Sequence, residues 1–344
     1  MKNLIDKLFE EKNLSDSELK TLIMQMPDPE YLFEKAQIRR DEVYGKKVFI
    51  RGLIEVSNYC KNDCLYCGIR KSNKNADRYR LTDEEILSAC ESGYELGFRT
   101  FVMQGGEDSH FSDERLVPLI KEIKANHPDC AVTLSLGERS EDSYRKLRDA
   151  GADRYLLRHE TACEAHYTKL HPENMSLKNR MNCLKTLKNL GYQTGCGFMV
   201  GSPYQTVDNI VADLRFIKEF SPEMVGIGPF IPHIDTPFGN EKAGSAELTV
   251  YLLAIIRLML PSVLLPATTA LGTADGKGRE KGILAGANVI MPNLSPKSAR
   301  EKYTLYNNKL HTGTENAYEL EKLKKQIAEI GYEIVCARGD YKEN

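Results

Sequence analysis

At 344 residues the chain has the length of two average domains, although single α/β barrels also run this long. Its 47 Lys and Arg nearly balance 49 Asp and Glu, a formal net charge of −2, which gives no electrostatic case for a nucleic-acid or anionic-membrane partner. No apolar run reaches the ~20 residues of a membrane span, and the longest, 250–265, is broken by Arg257 and Pro261.

Residues 1–44 read as two or three amphipathic helices that pack on the outside of the rest of the chain. From 45 to 312 the chain alternates short β-rich runs with helical patterns. The predicted strands are 48–56, 100–104, 131–136, 154–159, 193–200, 224–230, 263–268 and 288–291. Thr82 and Glu85 form a capping box at one helix start, and Ser140 and Ser176 open two others. Gly97, Gly151 and Gly191 suit C-terminal helix turns. Residues 313–344 read as a polar helix, 318–330, and a short strand, 333–336, packed on the barrel. Eight strand–helix repeats close most simply as a (β/α)8 barrel of the TIM type, here with an N-terminal helical extension.

Immediately after the first strand comes Cys60-Lys61-Asn62-Asp63-Cys64-Leu65-Tyr66-Cys67. Barrels of this kind place their chemistry at the carboxyl ends of the strands, where this loop falls. Three thiolates can hold three irons of a [4Fe–4S] cluster and leave the fourth open, as a catalytic metal site requires. S-adenosylmethionine (SAM) is the expected occupant, split by one electron to a 5′-deoxyadenosyl radical. A structural zinc site would need a fourth Cys or His, and the nearest, His110, lies some forty residues on. Cys90, Cys130, Cys183, Cys196 and Cys336 lack ligand spacing and read as core residues; Cys163 is also isolated. The nine cysteines are an odd count and the opening residues lack a signal-peptide pattern, so a reducing, cytoplasmic setting is expected.

Strand parity sorts the lumen from the helix layer. Leu156, Arg158 and Glu160 share a face, which is expected to be the lumen because a charge aimed at apolar helices is costly. There Arg158 and Arg51 would await an anionic ligand, in preference to an Arg158–Glu160 ion pair. Thr133, Ser135 and Gln104 fall inside by the same rule. Gly105, Gly106 and Glu107 end the second strand, where small residues let carbonyls approach the SAM ammonium. Arg180 would pair with the SAM carboxylate through its planar fork. Glu160 and Ser135 suit its ribose or amine.

Tyr66 before the last cysteine completes a run that resembles the radical SAM signature. Beyond it, 50–55, 57–70, 104–108, 134–139, 153–161, 197–201, 226–233, 266–271 and 287–294 resemble the [FeFe]-hydrogenase maturases of the HydE type. This resemblance implies Cys60, Cys64 and Cys67 on the cluster, with Glu160 and Arg180 at SAM. It implies Gln104, Met291, Tyr303 and Tyr306 near the substrate, and Arg51, Thr133, Arg158, Thr268 and Thr269 as polar lumen positions able to hold anions. The implied substrate is a cysteine-bound iron carrying CO and cyanide. The implied partners are a tyrosine-cleaving maturase and a scaffold GTPase maturase. Some relatives carry a second cluster on three cysteines, but residues 308–319 contain none, so one cluster is expected. Two alternatives stand beside this reading. One is a related enzyme on an amino-acid-like substrate, such as a methylornithine-synthase-like mutase; the other is a non-catalytic Fe–S scaffold.

Overall fold

The computed structural model describes residues 2–343. Three helices, Lys2–Glu11, Asp16–Gln25 and Pro29–Tyr44, precede the first strand. The second opens on a capping box: Ser15 Oγ accepts the Glu18 amide, and the Glu18 carboxylate accepts the Ser15 amide at 2.8 Å. All three helices contact the long helix Ala246–Met259. That explains why residues Thr249 to Met259 are buried on every face: the extension covers the side that would otherwise meet water.

The strands are β1 (Lys47–Ile50), β2 (Gly52–Ser57), β3 (Thr100–Gly105), β4 (Ala131–Ser135), β5 (Arg154–Leu156), β6 (Gln193–Cys196), β7 (Met199–Val200), β8 (Met224–Val225), β9 (Gly228–Pro229), β10 (Val289–Ile290) and β11 (Glu333–Val335). A parallel sheet runs β2-β3-β4-β5-β6-β8, a second β10-β1-β11, and β7 pairs with β9. Isolated parallel bridges complete the ring: Met224 with Leu264, Pro266 with Val289, and Leu53 with Asn293. The fold is the expected (β/α)8 barrel with helices outside, but several strands are shorter than their sequence pattern.

The run 48–56 divides at Arg51 because its neighbour changes. β1 pairs with the C-terminal strand β11, whereas β2 pairs with β3. The run 154–159 leaves the ladder after Leu156, and 193–200 breaks at Gly197. The run 224–230 is likewise two short pieces, and 263–268 makes only single bridges. At the other end of the chain, β11 is an integral strand of the rim where the strands begin. Beyond it, Gly339 (φ 61°) lies flat on Phe49, where a Cβ would sit 2.5 Å from the ring. The tail 336–342 thus closes the end of the barrel opposite the strand termini.

Candidate active site

Residues 58–80, between β2 and the helix Asp83–Glu95, carry the cysteines on irregular backbone. One side chain organises them. The Arg78 guanidinium donates to the carbonyls of Asn58, Ile69 (2.8 Å), Arg70 (2.7 Å) and Asn73 (3.1 Å). Asn58 adds Nδ2 bonds to Asp77 and Lys302 carbonyls. Asp108 accepts from Ser57 Oγ at 2.7 Å and from both ends of the Arg80 fork, tying the loop to the end of β3. Sequence reading passes over Arg78, since nothing local marks an arginine whose partners are carbonyls.

Cys60, Cys64 and Cys67 are half-buried free thiols facing a cavity of about 300 Å³ at the carboxyl ends of the strands. Burial raises all three thiol pKa values, Cys67 to about 12, and the neighbouring cysteines raise Cys64 and Cys67 further. Three thiolates therefore need a cationic guest to exist together here. Among the described residues no three His, Cys, Asp or Glu side chains gather as around a single metal ion. His110 is exposed and stands apart. Of the other cysteines, Cys90, Cys130, Cys183 and Cys196 are buried as expected, Cys163 is half-buried, and Cys336, expected in the core, is exposed.

Tyr66 lines the cavity, its hydroxyl 3.1 Å from His171 Nε2. His171 Nδ1 donates to the Tyr167 carbonyl at 3.0 Å, which leaves Nε2 to accept from the phenol. Across the cavity, a Cβ on Gly106 would fall 2.2 Å from the Tyr59 carbonyl oxygen and 2.7 Å from Cys60 Cβ, so only glycine allows the β3 end to lie on the cysteine loop. Arg180, on the helix Leu177–Asn189, is only 8 % exposed. Its Nε lies 2.7 Å from Glu138, and a terminal nitrogen lies 3.8 Å from Glu107. Burial opposes its charge, but Glu138, Tyr167 and Glu107 outweigh that and raise its pKa. Sequence reading does not single out Glu138.

Gln104, Gly105, Gly106, Glu107, Ser135, Arg158, Glu160, Thr268, Tyr303 and Tyr306 also line this cavity. Arg158 and Glu160 do form the ion pair that sequence reading disfavours, at 3.2 Å. Each is the opposite charge nearest the other on that wall. Arg51, Thr133, Thr269 and Met291 do not line the cavity. Arg51 sits deep in the barrel with a terminal nitrogen 2.9 Å from Met224 Sδ, and Thr133 is buried in the lumen. Met291 packs beside Phe49, Met224 and Val289, and Thr269 Oγ1 turns to Glu315 at 2.9 Å. Parity assigns the face correctly but carries no information on depth. Arg51 is six residues from the end of β2, about 20 Å at 3.3 Å per residue.

Tyr303 and Tyr306 come from a strap, residues 301–312, laid over one side of the mouth. The Gly68 amide donates to the Leu305 carbonyl at 2.8 Å, and the Asn307 amide to Pro232 at 3.0 Å. A Cβ on Gly68 would strike the Thr304 carbonyl oxygen at 2.1 Å, so the residue after Cys67 is where strap and cysteine loop touch.

A profile of the Radical SAM superfamily matches residues 54–217. The "[FeFe] hydrogenase maturase subunit HydE" of Thermotoga maritima is 50% identical over 281 residues, 82% of this chain and 80% of that one. This chain belongs to the HydE family of radical SAM enzymes. A 3-methylornithine synthase of Methanosarcina acetivorans is 30% identical over 95% of this chain and 92% of its own. The crystal structure of a methylornithine synthase superposes with a TM-score of 0.84 at 27% identity, over 96% of this chain and 97% of that one.

Membership of the radical SAM superfamily implies a [4Fe–4S] cluster and SAM. The wall of this cavity suits both: clustered thiols whose ionisation needs positive charge, a glycine approach, and fixed charges of both signs. Within residues 308–319, Glu315 pairs with Arg279. No helix of the described residues is long and apolar enough to cross a membrane.

Proposed function

We propose that this radical SAM enzyme acts in assembly of the [FeFe]-hydrogenase diiron subcluster, on a cysteine-bound iron carrying CO and cyanide. The supporting observation is the meeting, in one cavity, of three free cysteines with Arg158, Glu160 and Arg180, in a chain half identical to a HydE protein.

Cys60, Cys64 and Cys67 would hold the cluster. When bound, cluster and SAM supply a 5′-deoxyadenosyl radical by one-electron cleavage of a sulfur–carbon bond. The chain's own residues do the rest. Gly105, Gly106 and Glu107 offer backbone acceptors beside Cys60; Arg180 presents a cation to a carboxylate; Glu160 and Ser135 accept hydroxyl or amine protons. Tyr66 is fixed by His171. Gln104, Tyr303, Tyr306 and Thr268 face the remaining space, where Arg158 gives an anionic guest a partner. The strap and barrel wall cover part of that space, and keeping water out of it would protect a radical from quenching.

The tyrosine-cleaving maturase and the scaffold GTPase maturase are the proposed partners, and the cytoplasm the proposed location. The 30% identity to a methylornithine synthase keeps an amino-acid-like substrate as a second reading. Anaerobic reconstitution with iron and sulfide, reduction and addition of SAM tests the first step: 5′-deoxyadenosine must form. About four irons per chain are expected, and about eight would refute a single cluster. Restoration of active hydrogenase in a strain lacking its HydE protein separates the two substrate readings.

A further inference from the structure

Past Leu156 the backbone of the fourth barrel strand leaves the regular ladder and reaches its neighbour through the Leu157 amide to Gly195 (2.9 Å) and the Glu160 amide to Gly197 (3.0 Å). Glu160 has φ of 64°, a left-handed backbone that a residue with a Cβ keeps only where its surroundings impose it. The imposing contacts come from behind. His159 is fully buried and faces the helix layer. Its Nδ1 accepts the Gly197 amide at 3.2 Å, so Nε2 carries the proton and meets Asp213 Oδ1 at 3.2 Å. The same oxygen accepts the Ala162 amide at 2.5 Å.

Asp213, on the helix Val207–Phe220, therefore grips the chain one residue before Glu160 and two residues after it. Phe216 closes over the imidazole edge-on, centroids 4.7 Å apart. Gly197 gives a fixed support, because a Cβ there would sit 1.9 Å from the Gly226 carbonyl oxygen. An apolar contact would join strand to helix without burying a carboxylate, and Asp213 Oδ2 has no hydrogen-bond partner. Packing alone does not favour such a pair.

We propose that His159 and Asp213 are a buried positioning pair that holds Glu160 in its left-handed backbone with its carboxylate in the cavity, so that SAM affinity depends on residues that never touch SAM. This rests on the reading that Glu160 meets SAM.

Four variants test it: Asp213→Asn, Asp213→Val, His159→Asn and, as comparator, Glu160→Gln. Two quantities are measured: the Kd for SAM of the anaerobically reconstituted protein, and amide hydrogen exchange over 157–163 in the cluster-free chain. Asn at 213 still accepts from both partners, so its Kd should stay within twofold of the unaltered protein. Asp213→Val and His159→Asn should each weaken SAM tenfold or more and speed exchange within 157–163 alone, with iron content unchanged. The pair is refuted if both bind SAM within twofold, or if faster exchange spreads through β6 and the whole helix, the mark of a merely structural role. Should Asp213→Val not fold, His159→Asn decides alone. If Glu160→Gln binds SAM normally, the reading of Glu160 fails and takes the pair with it; if Glu160→Gln is weak while the other two are normal, only the pair fails.

Discussion

Lys309 Nζ lies 2.7 Å from the fully buried carboxylate of Glu55, and this pair ties the strap to the first strand of the barrel. Burial raises the Glu55 pKa, and Lys309 is the chief opposing influence. Removing one partner of a buried pair strands a charge and costs about 3–5 kcal/mol. Lys309→Met should therefore lower unfolding free energy by about 3 kcal/mol and accelerate amide exchange over 301–312. Adding Glu55→Gln to it should recover most of that loss. Urea titration of the two proteins checks the pair, and equal stability of single and double variants would contradict it.

Arg78 offers a fork of donors to four carbonyls of the cysteine loop, a geometry that a lysine ammonium cannot reproduce. Arg78→Lys should break the simultaneous hold on those carbonyls, although Arg70 keeps the Asn73 amide (3.1 Å), and loosen the spacing of Cys60, Cys64 and Cys67. Iron bound after reconstitution should fall below half that of the unaltered chain, while far-UV circular dichroism stays the same. Full iron content in the variant would mean that the loop sets its own shape.

The barrel is legible in the sequence because its signal is local: period-two runs, helix caps and glycines repeat in order along the chain. The cysteine loop is legible because its three cysteines lie within eight residues. Depth along a strand is not, since Arg51 and Arg158 share parity while only Arg158 reaches the cavity. Nor are long-range partners. Asp213 meets His159 across 54 residues, and Lys309 meets Glu55 across more than 250, with no pattern in either neighbourhood to join them. The Arg158–Glu160 pair is raised by sequence reasoning but ranked below an anionic ligand for a related cause: parity puts both charges on one wall without deciding whether they meet each other or a guest.

His171 is buried with its pKa pushed down to about 3, chiefly by burial. In the unfolded chain it titrates near 6.5. Its folded value is depressed, so above pH 6.5 it is neutral in both states and costs nothing. Below that the unfolded state takes up the proton first, and stability falls by up to about 1.4 kcal/mol per pH unit until about pH 3. His171→Phe removes this contribution and also the Tyr66 hydrogen bond, worth about 1 kcal/mol. The variant should be less stable than the parent at pH 7.5, with the gap closing or reversing by pH 5. Thermal unfolding of the cluster-free protein at both values checks it; a gap that stays constant would remove His171 as the titrating group.

Arg154 is fully buried at the end of the barrel away from the cavity, where it donates to Gln193, Thr100, the carbonyls of Arg338 and Gly339, and Asp340 at 2.6 Å. Four of these five partners survive in Asp340→Ala, and the lost carboxylate is itself 41 % exposed. The charge contribution must be discounted for solvent, to about 1 kcal/mol. Arg154→Met takes away more: the Gly339 carbonyl and Asp340 lose this donor and the Arg338 carbonyl keeps only Thr100 Oγ1 (2.8 Å), so residues 336–343 should become more readily cleavable by carboxypeptidase. The strand termini that hold the cysteines lie at the other end, and barrels separate stability from chemistry along this axis. SAM cleavage per cluster in Arg154→Met should therefore match the unaltered enzyme while its Tm falls. Loss of cleavage at full iron content would show that the tail end and the cavity are coupled through the lumen, with Arg51 and Thr133 lying between them.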